Sequence, residues 1–409
     1  MQKNKRRKVG SRKFFVLLLF ALSLLIISNI NFFKIYNLNQ DFYTDYSEIE
    51  RASEEKQFGN FISLSLKTND IETSNKSEQN GTVLFKLFGF IPIRKVGVKI
   101  IPEEEVYLGG APLGLSVNTD GAVVVSDIII NTNNNQIIKN KSLQNGDIIK
   151  KVNDTIISNV DDIEKALNEN SQDSANVEII RDNKIKTLNV GLLKDKSNKY
   201  KLGVWARNEI SGIGTLTFVK KNGQYGALGH PVTNSNSNTI LPITYGNIYD
   251  CNLIGVQKGQ KNNPGELRGV FVHKNAKGSI TKNTAYGIFG ELSDNDGLID
   301  ANKSVEIGGR LSVKPGKAKL VSNISGIQEE YDIEIIKASY QAKSSDKSIV
   351  FRVVDDRLLS LTGGIVQGMS GSPIIQNNKL VGAVTHVFLS DPTKGYAVYS
   401  DWMLEQLGC

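Results

Sequence analysis

Ser370 stands in the run Gly-Met-Ser-Gly-Ser-Pro, residues 368–373, and two short apolar runs follow it, Pro373 to Ile375 and Leu380 to Val384. A serine that attacks a carbonyl needs small neighbours. Substrate backbone must approach its Oγ, and nearby N–H groups must aim at the oxygen that gains charge. Gly368 and Gly371 leave that room, so the pattern points to acyl transfer. Ser372 is the rival hydroxyl, although Pro373 beside it assigns it to shaping the turn. A serine hydroxyl is a poor nucleophile near neutral pH and needs a base, itself oriented by a third group. The chain has three histidines. His230 ends the apolar run Tyr-Gly-Ala-Leu-Gly-His before Pro231, where a ring projects at a strand end. His386 follows Ser370 by sixteen residues, and His273 opens a Lys-rich loop. His230 has the best context and His386 is the fallback. Asp355 and Asp356 follow the strand-like Ile-Val-Phe-Arg-Val-Val and are the candidate acids, between which strand alternation does not choose. Asp250 and Asp391 are remoter, since most turn aspartates only cap or solvate.

The elements that must hold these residues are mostly strands. From Tyr200 onward the chain is Gly-rich and strand-forming, which suits a β-barrel or sandwich, with one helix expected at Asp401–Leu407. Asn377-Asn378 predicts a tight hairpin behind the serine. Gly-x-Ser-Gly followed by a hairpin resembles the nucleophile turn of chymotrypsin-like serine proteases. Upstream, residues 98–193 carry a Gly-rich turn entering a strand, Asn-Gly-Asp-Ile-Ile at 145–149, a helix over Val160–Glu169 and a hairpin through Asp182-Asn183. Val160, Ile163, Ala166 and Leu167 fall on one helical face. This segment resembles a PDZ domain, with an insertion at residues 127–142. The resemblance implies a peptide strand added between the Leu113–Val117 strand and the helix, with Leu113, Gly114, Leu115 and Ser116 lining it. A PDZ fold used only as a spacer is the plainer reading.

The formal net charge is +7. Lys3, Lys5, Arg6, Arg7, Lys8, Arg12 and Lys13 account for it, and the remaining basic residues equal the 42 acidic ones. The body is therefore neutral, which excludes a nucleic-acid footprint. Phe14–Phe33 is apolar enough to span a bilayer at about 20 residues. No small-residue cleavage site follows it, so it reads as an uncleaved signal anchor with residues 1–13 in the cytoplasm. Residues 34–97 read as a polar stalk and β lead-in, not a packed domain. Cys251 and Cys409 give no disulfide framework and no metal-ligand spacing, so neither metal nor cofactor is expected.

Taken together, Gly-Ala-Leu-Gly-His-Pro-Val-Thr at 226–233, the Asp355-Asp356-Arg-Leu-Leu segment, the serine turn and Leu-Val-Gly-Ala-Val-Thr-His at 380–386 resemble the stage IV sporulation protein B family. These are membrane-anchored serine peptidases of endospore-forming bacteria. The resemblance implies a triad of His230, Asp355 and Ser370, selecting Asp355 by its place fifteen residues before the serine. Backbone N–H groups of Gly368 and Ser370 are the expected oxyanion donors. The expected fold is mainly β with an α+β part: an anchor helix at 14–33, a PDZ domain at 98–193 and a chymotrypsin-like β-barrel peptidase domain at 194–409. The family implies self-cleavage within the stalk, then cleavage of a membrane-associated inhibitory partner of the protease that processes pro-sigma-K. That places the catalytic part in the space between the forespore and mother-cell membranes. The alternatives are an inactive protease-like PDZ adaptor and a general envelope-stress protease.

Overall fold

The computed structural model describes residues 142–408 apart from 170–172, 235–237, 272, 295–296 and 340–344. Upstream it describes 15–19, 22–23, 35, 42–44, 46–54, 62–68, 79–100, 105–127, 130–131 and 137–138. The protein is mainly β, with few and short helices among the described residues.

Two rings of six antiparallel strands dominate the molecule. In the first, Pro112–Asp127 lies between Val204–Lys220 and Tyr245–Asp250. The ring continues through Ala276–Thr284, Gly287–Leu292 and Gln224–Ala227, back to Val204–Lys220. Leu113, Leu115 and Val117 alternate along their strand, so one face of the pleat is apolar. They share a core with Leu216, Tyr225, Ile248, Ile280 and Ile288. In the second ring, Gly316–Ser322 pairs with Glu329–Ala338, then come Ile349–Val353, Lys394–Tyr399, Lys379–Val387 and Pro373–Gln376, which closes on Gly316–Ser322. Its core includes Leu320, Ile333, Phe351, Ile374, Val381, Val384 and Val398. Asn377 and Asn378 both take positive φ, 53° and 62°, and make the tight turn that their types predict.

The first ring corrects the expected division at residue 193. Strand Pro112–Asp127 is not confined to a separate upstream unit, because its first half pairs with Glu209–Thr215 inside the barrel. Its second half and residues 204–207 leave the barrel together as a ribbon. Residues 142–202 therefore form an insertion between two neighbouring barrel strands. Helix Val160–Glu169 buries Ile163, Ala166 and Leu167 there against Val124, Ile149, Val152, Val177 and Val190. The boundary was hidden because both halves of the strand bury a face, with buried apolar residues on either side of the polar stretch Asn118 to Asp120.

The β lead-in expected towards residue 97 is present, while the described residues upstream of it differ from the expected stalk. Strands Phe42–Thr44, Ile91–Ile100, Gln79–Leu87 and Ile62–Thr68 form a four-stranded sheet in that order. Helix Tyr46–Glu54 contributes Ile49 and Ala52 to a core with Leu64, Val83, Phe85, Val96, Val98 and Leu311. Glu50 and Glu54, which made the run look solvated, are on the exposed face. Glu48 is buried and accepts the Gly309 N–H at 2.7 Å, tying this sheet to the body. The expected basic segment and most of the expected anchor at 14–33 lie outside the described residues; 15–19 and 22–23 are helical. No described helix is long and apolar enough to cross a membrane. Cys251 is buried and unpaired, and Cys409 lies outside the described residues.

Candidate active site

Ser370 sits on a turn at the mouth of the second barrel, just before strand Pro373–Gln376. The first barrel grips that turn. Thr215 N–H donates to the Ser370 carbonyl at 2.9 Å, Thr215 Oγ1 to Gly368 O at 2.8 Å and Thr217 Oγ1 to Gly371 O at 2.7 Å. Gly371 N–H donates back to Val384 O at 2.7 Å. Gly371 has φ +98°, and a Cβ there would stand 2.1 Å from Thr215 O, so only glycine fits. Among the described residues, the N–H groups of Gly368 and Ser370 have no acceptor. Ser370 is half-buried, and its hydroxyl donates to the Thr385 carbonyl at 3.0 Å. The rival Ser372 is fully buried, out of reach of a substrate.

His230 arrives from the first barrel, three residues beyond strand Gln224–Ala227. Leu228 and Gly229 both take φ +69°, which turns the chain there. Gly229 presses on the second barrel, since a Cβ would lie 3.1 Å from both Thr385 Cγ2 and Val384 O. The approach to His230 and the Ser370 hydroxyl thus converge on one residue, Thr385. His230 Nδ1 lies 2.9 Å from Pro231 O. A carbonyl only accepts, so Nδ1 carries the proton and Nε2 the lone pair. Burial pushes the His230 pKa below the usual imidazole value, opposed by the Pro231 carbonyl and by the charge of Asp346. The ring is therefore neutral near pH 7, as a general base must be.

The second histidine is also in the site. His386 lies 5.3 Å from His230 between ring centroids, tilted by 40°. Its Nδ1 is buried without a hydrogen-bond partner, and Asp346 Oδ2 stands 3.7 Å away. Burial chiefly, then the neighbouring His230 and Lys347, hold its pKa down to about 4 against the pull of Asp346. His273 is elsewhere, half-exposed, 3.5 Å from Glu209 and against the rings of Tyr249 and Phe271.

Asp355 is not brought to His230. Its carboxylate accepts from Arg357 Nε and Nη2 at 3.2 and 3.0 Å, and from the backbone N–H groups of Arg357 and Asp332 at 2.9 and 3.1 Å. It caps helix Asp356–Thr362. The Arg357 guanidinium above all, aided by those N–H groups, holds its pKa down to about 2. The two candidate acids differ in burial, Asp355 being buried and Asp356 exposed. The partner differs because an arginine two residues on takes the buried carboxylate. Asp391 is occupied by Thr393 and Lys394, and Asp250 by Lys277.

The peptide groove expected at Leu113, Gly114, Leu115 and Ser116 is also corrected. Both edges of that strand are already paired, with Ile210–Thr215 on one side and Tyr245–Asp250 on the other. Leu113, Leu115 and Ser116 are buried, and a Cβ on Gly114 would strike the Phe271 ring. An added peptide strand has no free edge there. Sequence reasoning missed Asp346 and Thr385. Asp346 lies in Lys-Ser-Ser-Asp-Lys-Ser, which reads as a solvated loop, and only its closeness to strand Ile349–Val353 hints at a fixed position. Among the described residues no cluster of three or more His, Cys, Asp and Glu side chains is placed to hold a metal ion.

Among solved structures, the chain is similar to the crystal structure of Rv3671c protease, inactive form, at 13% identity, covering 48% of this chain and 83% of that chain with a TM-score of 0.26. No curated protein matches it. Residues 198–404 match the family SpoIVB peptidase S55, a span of half the chain that holds His230, His386 and Ser370. The chain belongs to the SpoIVB peptidase S55 family and is a serine peptidase.

Proposed function

We propose that this is a membrane-anchored signalling endopeptidase in which Ser370 is the nucleophile and His230 the general base. The observation that carries the reading is the seam between the two barrels. There, His230 from the first and Ser370 from the second meet on Thr385, with the basic Nε2 of His230 left available. Such a base and nucleophile on facing barrels are the chymotrypsin-like arrangement. In the reaction, the Ser370 hydroxyl leaves the Thr385 carbonyl and turns to His230 Nε2. Oγ attacks the scissile carbonyl as its proton passes to Nε2, and the imidazolium then protonates the departing amine. Water repeats the sequence on the acyl-enzyme and releases the acid. The unpaired N–H groups of Gly368 and Ser370 take the developing oxyanion.

Family membership supports the biological setting. In this reading residues 14–33 anchor the chain with its N-terminus in the cytoplasm, and the catalytic part faces the space between forespore and mother-cell membranes. The enzyme cuts itself within residues 34–97, then cuts a membrane-associated inhibitory partner of the pro-sigma-K-processing protease. The deciding experiment compares the full chain as wild type and Ser370→Ala by mass mapping of fragments and by labelling with a fluorophosphonate. The wild type should be labelled at Ser370 and should cut itself, and the variant should lose turnover by about 10⁴ to 10⁶-fold. An unlabelled wild type that leaves its own chain and peptide substrates intact would identify the inactive adaptor instead.

A further inference from the structure

We propose that the tip of the hairpin at residues 79–100 dips into the membrane surface beside the anchor and holds the catalytic body against the lipid. The inference deepens the reading of residues 14–33 as an anchor and rests on it. Strands Gln79–Leu87 and Ile91–Ile100 pair with Leu87 opposite Ile91, so the turn between them is tight. Phe88 and Gly89 take φ 54° and 81° there. A bulky residue at positive φ is strained, and glycine or a short polar residue is the usual choice. The chain follows that rule at Asp182-Asn183 and Asn377-Asn378 and breaks it at Phe88. Exposed apolar surface comes with the broken rule. Phe90 is 73% exposed, Phe88 49% and Ile91 43%, and Pro92 is exposed beside them. At the base of the same hairpin Phe85 is fully buried, so the sheet has its core without the tip.

Two observations name lipid as the occupant. The first is reach. Arg94, three residues beyond Ile91 on the same strand, donates from Nη1 to Ile35 O at 2.9 Å. Ile35 is buried in the sheet core and follows Phe33, the end of the apolar run, by two residues. Two residues span at most about 7 Å, so a run that crosses the bilayer puts Ile35 at its surface. Ile91 is about 10 Å from Arg94 along the strand, which brings the tip to that same surface. The second is charge. Residues 79–100 hold Lys86, Arg94, Lys95 and Lys99 and no acidic residue. Rings at a tip with cations behind them suit the bilayer interface, where apolar groups enter the acyl boundary and the cations meet phosphate headgroups. Glu48 on the Gly309 N–H and Leu311 in the sheet core tie this sheet to the body. The contact therefore fixes which face of the body meets the membrane. A cut upstream of Gln79 leaves the hairpin joined to the catalytic part, which stays at the surface near a membrane-associated substrate.

The test uses the full chain in proteoliposomes containing phosphatidylglycerol, with Ser370→Ala to keep it whole. Phe90→Trp, and Ile91→Trp in a second variant, place a reporter at the tip, and the emission of Trp205 and Trp402 is subtracted with the parent chain. The added emission should shift to the blue. Lipids brominated near the headgroup should quench it about two-fold or more, and lipids brominated near the chain ends less. Unshifted, unquenched emission in both variants overturns the proposal, and docking of the tip on a protein reads that way. Equal quenching of Ile185→Trp, on the exposed hairpin of the inserted unit, also overturns it, because the contact is then not particular to the tip. Alkaline carbonate reads the anchor separately. A chain that resists extraction but has an unquenched tip loses this proposal alone, whereas a chain that carbonate extracts loses the anchor and the proposal with it.

Discussion

His230 is held by two opposed influences, and with His230 as the proposed base their sum sets where the enzyme works. Burial disfavours the imidazolium, while the Pro231 carbonyl and Asp346 favour it, and burial wins. Protonation removes the base, so activity falls as pH drops through the lowered His230 pKa. The acidic limb of kcat/KM should therefore lie below about 6.5, the ordinary imidazole value. A limb at or above that value contradicts the burial of the ring. Asp355 gives the converse case. Its folded pKa of about 2 lies below its ordinary carboxylate value, so its ion pair stabilises the fold above pH 4 and loses that effect as pH falls towards 2. With a partly exposed arginine as partner, about 1–2 kcal/mol is expected. Asp355→Asn should lower folding stability by that amount at neutral pH, measured by urea denaturation, and the difference from wild type should vanish near pH 2.

At the scale of elements, the Ser370 turn, the proposed nucleophile turn, is held in shape by strand Val204–Lys220 from the other barrel. Gly371 is where the fit is tightest, with φ +98° and Thr215 O 2.1 Å from a notional Cβ. Gly371→Ala must shift either the turn or the strand. Strain of about 1–3 kcal/mol is expected, with kcat falling by at least about 100-fold as the Gly368 and Ser370 N–H groups lose aim. A thermal melt together with active-site titration separates the two effects. Much of this element was legible in the sequence. The small residues round Ser370, the Asn377-Asn378 turn and the strand behind it all follow from local chemistry. Asp346 was not legible, because a Lys-Ser-Ser-Asp-Lys loop looks the same whether its aspartate meets water or a buried imidazole.

For the whole molecule, the decisive feature is a barrel strand contributed from outside the family span. Residues 198–404 alone lack strand Pro112–Asp127, which pairs on both edges in the first ring. A chain of residues 198–404 should leave two open edges and aggregate. Deleting residues 98–193 should do the same. By contrast, joining Thr119 to Asn208 through an Asn-Gly turn removes only the ribbon and the inserted unit. That variant should keep cooperative unfolding by circular dichroism and labelling at Ser370. If it unfolds while the 198–404 chain stays folded, the shared strand is not needed.

Sequence by itself determined the glycine-rich turn round Ser370 with the hairpin behind it, the strand-rich fold and the family. Those depend on residue types within a few positions, where close approach, turn conformation and alternation act directly. Only the tertiary structure decided that Arg357 takes the Asp355 carboxylate, that His386 stands beside His230, and where the upstream unit divides from the barrel. These are pairings across long loops. An arginine two residues from Asp355 and a second strand edge on Leu113–Ser116 decide such pairings by what arrives in space, and no local pattern records it.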